Sequence, residues 1–137
     1  MIGLPSLRTL DSAQGPRIWL AVEAQDMRAG FDRLAEKVRT VIGQDPFSEA
    51  LFLFRSRRNN RIKILIWDKD GFVLIYKRLE VGVFKFNLSS VREGVLTVQL
   101  RPSELAMILD GIDMTKLKRV PRYERGILRQ GQEKITV

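Results

Sequence analysis

The chain predicts an α+β domain. Its sheet is mainly antiparallel with about five to six strands, one long helix follows the first strand, and a shorter helix lies near the C-terminus. Three observations carry this expectation. Apolar residues alternate in short runs at several places, which is the period of a strand with two distinct faces. Helical spacing, in steps of three and four, occurs in two windows only. Between residues 51 and 86 the breaks separating apolar runs are of hairpin length, and such breaks join antiparallel neighbours rather than parallel ones.

The elements follow in order. Residues 1–16 mix Pro, Ser, Arg, Asp and Gly and read as a loose arm ending in the turn-prone Gly15-Pro16. Arg17 to Glu23 reads as a first strand, with Ile18, Leu20 and Val22 alternating against Trp19 and Ala21. Asp26 stands where an N-cap belongs, because a carboxylate can accept from the unpaired amides of a first helical turn. The helix after it should carry Met27, Phe31, Leu34, Val38, Val41 and Ile42 on one face. Gly30 inside such a helix costs about 1 kcal/mol against Ala, which close packing on the sheet would explain. Gly43 and Asp45-Pro46 end it.

Leu51 to Phe54 is apolar on both faces, as a covered central strand would be. An Arg- and Asn-rich turn spans Arg55 to Arg61. Ile62 to Trp67 forms the next strand, and Asp68-Lys69-Asp70-Gly71 is a hairpin signal. Phe72 to Tyr76 follows and extends as far as Leu79 at most; Gly82 breaks the pattern before a short strand over Val83 to Phe86. Val95 to Leu100 is a further strand. Pro102-Ser103-Glu104 opens a helix that runs to Asp110 and stops at Gly111, with Leu105, Ile108 and Leu109 as its apolar face. From there the chain is a basic tail. The expected organisation is an arm over 1–16, one α+β domain over 17–114 and a basic tail over 115–137.

Composition narrows the chemistry. The 137 residues contain no Cys and no His, which removes disulfides, thiolate metal sites, the usual general base and the commonest metal ligand. No phosphate-binding glycine loop of the P-loop or Rossmann type is present, so no cofactor and no metal is expected. The N-terminus has no secretory apolar stretch, and no run approaches the roughly 20 apolar residues that span a bilayer. A cytoplasmic, nucleoid-associated protein without a membrane partner is expected.

The net charge of +8 is unevenly placed. Residues 1–50 carry six basic and seven acidic side chains, residues 51–90 nine and three, and residues 91–137 nine and six. The middle segment therefore holds most of the excess, on a predicted sheet, and a concentrated positive field points to a polyanion. Arg55, Arg57, Arg58, Arg61, Lys63, Lys77, Arg78 and Lys85 are the candidate nucleic-acid contacts, because guanidinium and ammonium groups suit phosphates. A solvated hairpin tip would also account for the Arg-rich turn alone. Lys77-Arg78 and Lys85 either join that turn on one face or lie at the far end of the sheet. Most aromatic residues sit among apolar neighbours and read as core; Phe84 and Phe86, flanking Lys85, are the candidates for base stacking. Asp68 and Asp70 with Glu80 are the only carboxylates worth weighing as a Mg²⁺ nuclease site, and a hairpin loop explains the first two without it.

Several segments, in order, resemble a known family: Asp26-Met27-Arg28-x-Gly30-Phe31-Asp32-x-Leu34, Asp45-Pro46-Phe47-Ser48, Leu51-Phe52-x-Phe54-Arg55-x-Arg57-Arg58, Lys63-Ile64-Leu65-x-Trp67-Asp68-x-Asp70-Gly71-Phe72, Tyr76-Lys77-Arg78-Leu79-Glu80-x-Gly82-x-Phe84 and Leu105-x-Met107-x-Leu109-x-Gly111-Ile112-Asp113. This series is similar to the TnpB-type accessory protein, the second open reading frame, of the IS-sixty-six class of bacterial insertion sequences. It covers about residues 17 to 115 and departs at Phe86-Asn87, where the family usually has Trp-Pro. The resemblance implies a role in transposition beside a separate transposase, and it carries no catalytic residues across. The resulting expectation is a non-catalytic accessory protein that binds DNA at the element's ends within the transposition complex. The alternative is an adaptor that docks on the transposase without touching DNA. Oligomeric state is left open by the sequence.

Overall fold

The computed structural model describes residues 15–113 and the strand residues 118–119. The N-terminal arm lies almost wholly outside the described residues, as does most of the basic tail. Five strands form the main sheet: β1 (Ile18–Ala21), β2 (Leu51–Arg55), β3 (Arg61–Asp68), β4 (Gly71–Arg78) and β5 (Thr97–Leu100), in the order β4-β3-β2-β1-β5. Helix α1 (Phe31–Lys37) runs into a π-helical turn over Val38–Ile42 and connects β1 to β2. Helix α2 (Pro102–Asp110) follows β5. A two-residue pair, β6 (Ile112–Asp113) with β7 (Lys118–Arg119), closes the described chain.

The sheet is mainly antiparallel, as expected, with one parallel pair. β1 and β2 run in the same direction because a helical crossover separates them, whereas β2, β3 and β4 are joined by turns. The two faces of the sheet build two cores. Trp19, Ala21, Phe52, Phe54, Leu65, Phe72 and Leu74 pack with Leu34, Ala35, Val38 and Ile42 on the α1 side. Ile18, Leu20, Leu51, Leu53, Ile62 and Ile64 pack with Leu105 and Ile108 on the α2 side, where Leu79 and Phe84 join them. Strand β2 is buried on both faces, which is why its sequence is apolar throughout instead of alternating.

Four local expectations are corrected. The first helix does not start at Asp26. Residues 26–29 form a separate turn in which Asp26 Oδ1 accepts the Arg28 amide at 2.9 Å, and the helix begins four residues later with Gly30 as N-cap. Gly30 is therefore not packed against the sheet: an added Cβ would meet nothing within 4 Å. Phe31, expected on the buried face, lies in the first turn and is exposed. The segment Val83 to Phe86 is not a strand. Gly82 turns it out of line at φ 81°, and its backbone is anchored by the Phe84 amide donating to Asn59 O at 2.7 Å. β4 is consequently one edge of the sheet, with β5 the other.

Two glycines at the ends of the first helical segment have opposite expected effects. Gly43 closes it at φ 77°, a left-handed conformation that side chains resist, so Gly43→Ala should destabilise by about 1 kcal/mol. Gly30 has an extended backbone and open space around it, so Gly30→Ser should stabilise by a few tenths of a kcal/mol through N-capping. Urea melts of the two variants should shift their midpoints in opposite directions.

Candidate nucleic-acid interface

The β3–β4 register decides where the basic residues stand. Arg61 pairs with Arg78 and Ile62 with Lys77, so the end of β4 lies beside the start of β3 and next to the β2–β3 turn. The chain after β4 stays there. The Leu79 amide donates to Asn60 O at 2.8 Å, and the Phe84 amide to Asn59 O at 2.7 Å, which brings Lys85 to the same end. The basic turn, Lys77-Arg78 and Lys85 thus share one end of the sheet.

The turn itself is tightly built. The Asn59 amide donates to Ser56 O at 3.1 Å, leaving Arg57 and Arg58 as the two central, exposed residues of a β-turn. Asn59 adopts φ 61°, a conformation that Asn tolerates better than most side chains. Ser56 is buried; its amide donates to Arg61 O and its Oγ accepts the Arg61 amide, both at 3.0 Å. The signal for this turn was the Asn59-Asn60 pair, whose backbone role the charge reading passes over.

The candidate cations divide by environment. Arg55 is half-buried: its Nε donates to Val22 O at 2.8 Å and its Nη1 to Asn59 Oδ1 at 2.9 Å, and burial pulls its pKa down from the ordinary value. Lys63 is buried, with Nζ donating to Ala29 O at 2.7 Å and standing 4.6 Å from the centre of the Tyr76 ring. These two side chains hold the loops around the basic end. Arg57, Arg58, Lys77, Arg78 and Lys85 are exposed, and Arg61 is half-buried with Nη1 3.5 Å from the Tyr76 hydroxyl. Arg78 is also bridged to Glu80 at 2.9 Å. Among the described residues, Arg57, Arg58, Arg61, Lys77 and Lys85 take part in no ion pair. Adjacent strands lie roughly 5 Å apart, well inside a Debye length of about 10 Å at 0.1 M salt, so these charges act together on a neighbouring anion.

Arg61, Arg78, Lys63 and Tyr76 stand in directly opposed pairs and face the α1 side, whereas Lys77, opposite Ile62, faces the α2 side. The basic end wraps both faces of the β4 edge.

The remaining sequence candidates separate. Phe84 is fully buried in the α2-side core and Phe86 packs against it at a centroid distance of 6.4 Å, so Phe84 is not available for stacking. Asp68 and Asp70 belong to the β3–β4 hairpin, whereas Glu80 follows the other end of β4. An eight-residue strand, roughly 25 Å long, lies between them, so the three carboxylates cannot share one metal ion. Among the described residues no group of three or more Asp or Glu is placed to hold a metal. At the hairpin end, Phe47, Trp67 and Phe72 pack with ring centroids 5.0–5.5 Å apart, and the Arg39 guanidinium stands 5.8 Å from Phe47. Phe47 reaches them from the turn in which Asp45 Oδ1 accepts its amide at 2.9 Å. This cluster ties the loop after the π-helical turn to the hairpin.

Asp26 supplies a titration check on the turn beside Ala29. The Arg28 guanidinium and amide both donate to its carboxylate, which lowers its pKa from 3.8 to about 2. A depressed carboxylate contributes its stabilisation above the unfolded value near 3.8 and loses it as the pH falls through 2. A carboxyl NMR titration should give Asp26 a midpoint of about 2, moving back towards 3.8 in Arg28→Ala.

Among the described residues no helix is long and apolar enough to cross a membrane. The family profile described as IS66 Orf2 like protein matches residues 16–119. Two proteins of Sinorhizobium fredii (strain NBRC 101917 / NGR234) are similar to the chain. Uncharacterized protein y4jC is 34% identical over 109 residues, covering 80% of this chain and 90% of its own length. Uncharacterized protein y4hO is 36% identical over 104 residues, covering 76% and 87%. No solved structure matches the chain.

Proposed function

The chain belongs to the IS66 Orf2-like family of insertion-sequence proteins, and on that premise we propose that it is a non-catalytic accessory protein that binds DNA within the transposition complex. The observation that carries this reading is the register that gathers Arg57, Arg58, Arg61, Lys77, Arg78 and Lys85 at one end of the sheet. Cations gathered at one end of a sheet repel, and a surface that keeps them together is stabilised by a bound polyanion. Duplex DNA presents one negative charge per ~1.7 Å of axis and releases condensed counterions when phosphates are neutralised. The six side chains contact phosphates, Arg61 and Arg78 from one face of the β4 edge and Lys77 from the other. Arg55 and Lys63 act one step back: they hold the Val22 and Ala29 carbonyls and the Asn59 side chain around the contacting residues. The element's ends are the DNA, and the element's transposase is the protein partner.

The competing role is an adaptor whose basic end meets an acidic surface of the transposase. Two assays separate the roles. The purified protein should shift a duplex of the element's end at low salt. Capture of transposase from nuclease-treated extract with no such shift would replace the DNA reading by the adaptor.

A further inference from the structure

We infer that Tyr76 is a stacking platform for an unpaired nucleobase, so that the basic end takes single-stranded or locally opened DNA as well as duplex. This rests on the reading of that end as a DNA interface and adds a site to it. Tyr76 lies on the edge strand and is 49% exposed. Phe52, Phe54 and Phe84 are buried in the cores; Phe47, Trp67 and Phe72 pack on one another at the opposite end, and the exposed Phe31 stands in the first turn of α1. Tyr76 is the exposed aromatic that stands at the basic end, beside Lys63 and Arg61.

Its ring is also held in place. Lys63 Nζ stands 4.6 Å from the ring centroid and is itself fixed by its 2.7 Å bond to Ala29 O. Arg61 Nη1 reaches the hydroxyl at 3.5 Å. Lys63 backs one side of the ring, and the remaining surface lies open beside Arg61 and Arg78, which share its face of the sheet. An aromatic plane with two arginines beside it, at the Arg61–Arg78 pair next along the strands, matches a base and its neighbouring phosphate. Every base has a π face, so such a platform reads strandedness and not sequence. A tyrosine serving only as a cover for the buried Lys63 would need neither the flanking arginines nor an open face.

The test compares a 20-nucleotide oligo-dT with a duplex of equal length, for the wild type, Tyr76→Phe and Tyr76→Leu. Leucine still covers Lys63 but has no ring face. Tyr76→Leu should weaken oligo-dT binding by about tenfold to a hundredfold, leave duplex binding within about twofold, and Tyr76→Phe should match the wild type. Oligonucleotides carrying bromodeoxyuridine should crosslink to Tyr76 under ultraviolet light, located by mass spectrometry. If Tyr76→Leu binds oligo-dT as the wild type does, or the crosslinks fall only elsewhere, the platform is wrong while duplex binding still supports the interface. If the wild type binds neither nucleic acid, the interface and the platform fall together.

Discussion

Replacing Arg57, Arg58 and Arg61 together with Ala should weaken duplex binding by about a hundredfold at 0.1 M salt and flatten the log–log salt slope from about −5 to about −3. The magnitude follows from removing three of six phosphate contacts, each adding close to one unit of slope. Stability should change little. Arg57 and Arg58 are exposed at the turn tip, and the Arg61 contacts that order the turn come from its backbone and survive truncation. A denaturation midpoint near the wild-type value, beside the flattened slope, would place the effect in binding. Unchanged affinity in a folded triple variant would remove these residues from the interface.

The second large effect is on folding. Lys63→Ala should destabilise by roughly 2–4 kcal/mol, because it opens a cavity between β3 and the Ala29 turn and leaves the Ala29 carbonyl without its donor. Lys63→Met keeps most of the volume and should cost about 1 kcal/mol. Urea denaturation separates the two. Equal losses would show that the hydrogen bond, and not the packing of the stem, dominates. Lys63 thus links stability to the interface: it fixes both the turn before α1 and the Tyr76 ring at the edge of the basic end.

The sheet was legible because its strands alternate or run apolar, and hairpin signals such as Asp68–Gly71 fix their neighbours. Helix α2 was legible from its proline at the start and Gly111 at its end, where the backbone takes φ 82°. The first helix was less so. Met27 continues the helical spacing upstream of the true start at Phe31, but the chain before Gly30 bends into its own turn, held by Asp26 and Arg28. Periodicity cannot distinguish a residue that precedes a helix from one that belongs to it. Val83 to Phe86 alternates like a strand yet is in neither sheet among the described residues; the Phe84 amide bonds instead to the β2–β3 turn.

For the candidate site, the identity of the basic residues was readable and their division of labour was not. Arg55 and Lys63 differ from Arg57 and Lys77 only in what surrounds them. The carbonyls that hold them belong to residues more than 30 positions away. The co-location of Lys77-Arg78 with the Arg-rich turn depended on the strand register, which sets Arg61 against Arg78. Tyr76 was hidden among aromatics read as core, and its openness comes from β4 being the edge.

The most direct measurement is a salt titration of the wild-type protein on a duplex carrying the element's end, beside a random duplex of the same length. Six phosphate contacts predict a log–log slope of about −5 on both, with any preference for the element's end appearing as a constant offset. A slope near zero, or no binding at 50 mM salt by protein that still captures transposase from nuclease-treated extract, would contradict the DNA interface.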